Sequence, residues 1–76
     1  MSSVYDISGT LHHSFKIGDG PTIYYGNIEP TNDIGQIGDI YILNKPATNE
    51  NELGSANMYL KSSSNNVAVW FKVSLV

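Results

Sequence analysis

The sequence predicts an all-β fold, a small antiparallel sheet or sandwich with long polar loops and no significant helix, on three observations. Glycine and asparagine interrupt every window long enough to hold a helix, and the apolar set is mainly β-branched and aromatic. Short runs of alternating apolar and polar residues recur between clusters of Gly, Pro, Asn and Ser. A length of 76 residues admits one domain. The expected division is an N-terminal arm over residues 1–10 and a single β domain over 11–76.

The arm carries Val4, Tyr5 and Ile7 ahead of Ser8-Gly9, too polar for a core strand and too apolar for a free tail. It is expected to dock on a neighbouring subunit. Residues 11–17 alternate, with Leu11, His13, Phe15 and Ile17 on one face and His12, Ser14 and Lys16 on the other, as in a half-buried strand. Gly18-Asp19-Gly20-Pro21 is a turn, because glycine accepts positive φ and proline presets its own. Residues 22–25 form a short strand that ends at Gly26-Asn27, and residues 27–38 read as loop, holding Pro30, Asn32, Asp33, Gly35 and Gly38.

Residues 39–43 form the next strand, apolar on both faces and therefore central or sandwiched between subunits. A long polar connection over 44–56 is the expected variable contact surface. Residues 57–61 form a strand and 62–66 a tight polar turn. Residues 67–73 close the sheet, with Val67, Val69, Phe71 and Val73 opposite Ala68, Trp70 and Lys72. The aliphatic face predicts a core of Ile40, Ile42, Met58, Leu60, Val69 and Phe71. Tyr41, Tyr59 and Trp70, on the other face, are then the candidate partner-binding residues.

Composition bounds the function. A chain this short buries only about 60% of its unfolded surface, and small scaffolds are usually stapled by disulfides, metals or partner subunits. Cysteine is absent, which removes disulfides and thiolate chemistry. Association needs no special residues, so an oligomer or a subunit of a larger assembly is expected. The chain has four lysines, no arginine and a net charge of −3, which disfavours nucleic acid, where arginine makes the bidentate contacts. No run approaches the ~18 apolar residues of a membrane span. The first residues lack the basic and apolar regions of a secretory signal, so synthesis in a cytoplasm without signal-directed export is expected.

The chemistry-capable residues point away from an enzyme. His12 and His13 are adjacent on a strand, face opposite ways and cannot chelate one ion together. They read as surface or interface histidines. Asp19, Asp33 and Asp39 lie among glycines but lack the ligand ladder of a calcium loop, and read as turn caps. No helix follows Gly18-Asp19-Gly20 or Gly35-x-x-Gly38 to make a phosphate cradle, and no serine sits in a nucleophile elbow. No catalytic, cofactor or metal residue is expected.

Gly26-Asn27-Ile28-Glu29-Pro30-Thr31, Gly35-x-x-Gly38-Asp39-x-Tyr41-Ile42, Tyr59-Leu60-Lys61 and Trp70-x-Lys72-Val73 together resemble a small β-module of bacteriophage virion proteins. That module recurs in tail fibres, collagen-like fibres and head fibres as a G-x-x-G-D-x-Y-I, L-Y-x-K, W-x-x-V series. The resemblance spans roughly residues 15 to 74; each motif is short, and order and spacing carry it. It implies a structural virion protein, assembled as a homotrimer or other multimer, that decorates or caps a capsid or tail surface, or anchors a fibre, through contacts with itself and with capsid or tail proteins. The alternative it implies is a receptor- or glycan-binding tip of a tail fibre, meeting a host surface glycan. This chain departs from the pattern in lacking shaft repeats and in its Tyr59-Leu60 order.

Overall fold

The computed structural model describes residues 2–73; Met1 and residues 74–76, the outer ends of the expected arm and β domain, lie outside the described residues. Six strands follow in chain order: β1 (Ser2–Tyr5), β2 (Leu11–Lys16), β3 (Thr22–Gly26), β4 (Ile40–Lys45), β5 (Ser55–Ser64) and β6 (Val67–Val73). They form one sheet in the order β1-β2-β3-β4-β5-β6. The fold is all-β, with no helix among the described residues, and so no helix there long and apolar enough to cross a membrane.

The sheet is mixed where a small antiparallel sheet or sandwich was predicted. Four neighbouring pairs are antiparallel, but β3 and β4 run parallel, with Tyr24 opposite Tyr41. A parallel pair needs a crossover of about a dozen residues or more, and residues 27–39 supply it. β5 runs on to Ser64 because the turn into β6 needs only Asn65 and Asn66, whose φ angles of 52° and 66° suit a type I′ hairpin. The first residues dock on their own chain: Ser2–Tyr5 pairs with β2, and Val4 packs against the core.

The interior lies on the face opposite to the one predicted. Tyr41, Leu43 and Tyr59 are buried with Ile34, and Val4, Tyr24 and Trp70 pack around them. Their cover is the crossover 27–39, laid across the sheet. The predicted core residues Ile40, Ile42, Met58, Leu60, Val69 and Phe71 all occupy the other face.

Hydrogen bonding explains the choice. A loop packed over a sheet brings backbone carbonyls that water no longer reaches, and each requires a donor. The inner face provides them. Tyr41 Oη donates to Ile28 O at 2.9 Å and Trp70 Nε1 donates to Thr31 O at 3.0 Å. Lys61 Nζ donates to Asn32 O at 2.8 Å, Ile34 O at 2.5 Å and Gly35 O at 3.2 Å. Asp39 holds the other end of the crossover, accepting from Thr22 N and Gln36 N. An aliphatic face has no such donors. Tyrosine, tryptophan and lysine pair an apolar body with a polar tip, so these residues face the crossover.

Candidate interaction surface

Side-chain alternation sets the composition of the uncovered face. It carries Leu11, His13 and Phe15 on β2, Ile23 and Tyr25 on β3, and Ile40 and Ile42 on β4. Met58 and Leu60 on β5 and Val69 and Phe71 on β6 continue it. Phe15 is 59% exposed, and Tyr25, Leu60 and Phe71 each exceed 40%. No Asp, Glu, Lys or Arg within the six strands points this way, because Lys16, Lys45, Lys61 and Lys72 all share the register of the inner face. Phe15, Ile23, Tyr25 and Ile42, with His13 and Ser14, line a shallow depression of about 110 Å³. Contiguous apolar surface of this kind marks interaction sites.

The buried polar groups on the inner face are structural. Asp6 Oδ2 lies 2.7 Å from His12 Nε2, and His12 Nδ1 lies 2.6 Å from Tyr41 Oη. The Tyr41 hydroxyl also reaches Ile28 O, and both ring nitrogens of His12 are partnered, one by the Asp6 carboxylate and the other by the Tyr41 hydroxyl. His12 and Tyr41 are fully buried, so this relay ties the sheet to the crossover and faces no solvent. Burial, with the charge of Asp6 behind it, pushes the Tyr41 phenol up to about 12.

The Ser8 hydroxyl and then His12 hold the Asp6 carboxyl well below the usual carboxylate range, against the opposing effect of burial. A carboxyl depressed on folding contributes stability above its unfolded pKa of about 3.9, and that contribution is lost as pH falls toward the folded value. Asp33, held down by Thr31, and Glu52, held down by Thr48, act in the same sense. Urea midpoints are therefore expected to fall between pH 5 and pH 2, with a shallower fall in Asp6→Asn; equal slopes in the two proteins would contradict this role.

A polar groove opens beside Asp19, Asp33 and Asp39. Two of these carboxylates already serve the backbone: Asp39 caps Thr22 and Gln36, and Asp33 Oδ2 accepts from Ile7 N at 2.8 Å. These bonds reach remote backbone at Ile7 and Thr22 and upstream backbone at Gln36, so the two carboxylates tie separate segments together where caps of their own turns were expected. Among the described residues no three His, Cys, Asp or Glu side chains gather as metal ligands.

None of the three candidate partner-binding residues sits on the uncovered face. Tyr41 and Tyr59 are sealed in the interior, and Trp70 is half-buried with its indole bonded to the crossover. A sealed ring presents no surface to a partner. His12, expected at a surface or interface, is likewise internal, while His13 is exposed on the uncovered face. The surface that was missed is the charge-free one, and its signal was that each strand lysine shares its parity with His12, Tyr41, Tyr59 or Trp70 of its own strand. No family model, curated protein or solved structure matches the chain.

Proposed function

We propose that this protein is a non-enzymatic structural component of a bacteriophage particle, a small β-module that decorates or caps a capsid or tail surface or anchors a fibre. The observation that carries the reading is the uncovered sheet face, apolar and free of strand charges, on a chain whose other face is already filled by its own crossover. Such a face suits permanent protein contacts, whose buried centres are depleted of charge. The motif series over residues 15–74 supports a virion setting, in which copies of the chain and the capsid or tail proteins complete the surface.

Particles purified on a density gradient from lysing cells that carry the gene test the proposal. Quantitative mass spectrometry is expected to find the chain in the particle band at a fixed ratio to the major capsid protein. Recovery of the chain only in the soluble fraction would overturn the assignment.

A further inference from the structure

We propose that two copies of this chain pair through their uncovered faces, sheet on sheet, so that each forms the missing apolar layer of the other. The inference rests on the structural reading above and names the partner of the same surface: a second copy of this chain.

Charge favours self-pairing. The chain carries a net charge of −3, yet its acids lie in turns and loops and its lysines on the inner-face register. Two uncovered faces therefore meet without placing like charges opposite one another. A partner chosen by electrostatic complementarity would find no strand charge to read.

Size is also adequate. Six strands at about 4.8 Å spacing and roughly 17–20 Å length make a flat footprint of about 500 Å² per copy. Side chains projecting from the pleat raise the accessible area above that figure, toward the ~800 Å² per partner of a stable interface. A single edge-strand contact offers much less.

Shape gives the pair a two-fold form. The depression of Phe15, Ile23, Tyr25 and Ile42 lies on the β2–β4 side of the sheet, while Leu60 and Phe71 stand exposed on the β5–β6 side. A two-fold axis along the strands, between β3 and β4, lays β2 of one copy over β5 of the other. The partner's Leu60 then faces the depression, and the same contact occurs twice, as an isologous interface requires. Aligned sheets pack about 10 Å apart with strands crossing near −30°.

Size-exclusion chromatography with light scattering over a concentration series, beside circular dichroism, tests the pairing. The wild type is expected at twice the 8.3 kDa chain mass. Leu60→Lys is expected to stay folded and to weaken the pair at least about thirty-fold, the loss of a hot-spot residue. Phe15→Lys, at an even more exposed position, does the same and serves if Leu60→Lys does not fold. Leu53→Lys, at a 96% exposed loop position outside the six strands, is expected to leave the mass unchanged. A monomeric or trimeric wild type, or folded face variants that keep the wild-type mass, would overturn the pairing. Particle incorporation is read separately: incorporation of a chain that is monomeric in solution removes only the pairing, and a dimer absent from particles removes only the virion assignment.

Discussion

Lys61→Met is expected to cost about 3–5 kcal/mol, from losing three charge-assisted hydrogen bonds at about 1.5–3 kcal/mol each, partly offset by removing a desolvated charge. Lys61 is 2% exposed and bonds three carbonyls of the crossover: Asn32 O, Ile34 O and Gly35 O. Its ammonium also lies 5.3 Å from the Trp70 ring centroid, a favourable cation–π distance. Burial pushes this lysine below its usual pKa, with Asp33 and Asp39 acting against the shift. The charge is therefore held by carbonyl dipoles more than by any carboxylate. Methionine keeps the apolar stem and removes every donor, leaving the buried Ile34 O to lose about 1–3 kcal/mol and the part-buried Asn32 O and Gly35 O less. At about 0.05–0.15 kcal/mol per residue, a chain of this length is only about 4–11 kcal/mol stable. Urea unfolding followed by circular dichroism should show most of that margin gone. A midpoint within experimental error of the wild type would remove Lys61 as the clamp between sheet and crossover.

Gly26→Ala is the second large effect. A Cβ at Gly26 would collide with Tyr41 Oη and lie 3.2 Å from His12 Nδ1. Glycine at the end of β3 thus lets the Tyr41 ring lie across that strand and reach His12. The hydroxyl cannot swing aside cheaply, since the ring stands edge-on to His12, Tyr59 and Trp70 at centroid distances of 5.4, 6.2 and 5.9 Å. Overpacking and loss of the Tyr41 bonds together are worth about 2–4 kcal/mol. For a chain of this size that lowers the melting temperature by at least about 10 °C. Adding Tyr41→Phe to Gly26→Ala removes the colliding atom, so the two losses should fall short of additivity. Strict additivity would show that the crowding is absorbed elsewhere.

These two residues also show what a reader of the sequence can and cannot see. Alternation at 11–17 and 67–73 and the breakers around them placed β2 to within one residue and β6 correctly, because a half-covered strand prints its faces directly on the chain. β1 was obscured by Ser2 and Ser3, and its pairing depends on β2 rather than on its own hydrophobicity. The parallel β3–β4 pair leaves no local mark, since residues 27–39 look like loop whether they form a turn or a crossover. The exchange of faces has a more general cause. Ranking Ile40, Ile42, Leu60 and Phe71 as core assumes that the interior is the most hydrophobic layer. Here the inner layer must also satisfy Ile28, Thr31, Asn32, Ile34 and Gly35 carbonyls, which selects Tyr41, Lys61 and Trp70. A lysine in strand alternation with Tyr59, opposite Trp70 on β6, was the visible trace of that demand.

Hydroxyl-radical footprinting with residue-level mass spectrometry, run from dilute to concentrated protein, tests the two-faced sheet most directly. Tyr41 and Tyr59 should stay protected at every concentration, while Phe15, Leu60 and Phe71 react when dilute and become protected together as the concentration rises. Reaction of Tyr41 and Tyr59 to the same extent as Phe15 and Phe71 in the dilute folded protein would contradict the account.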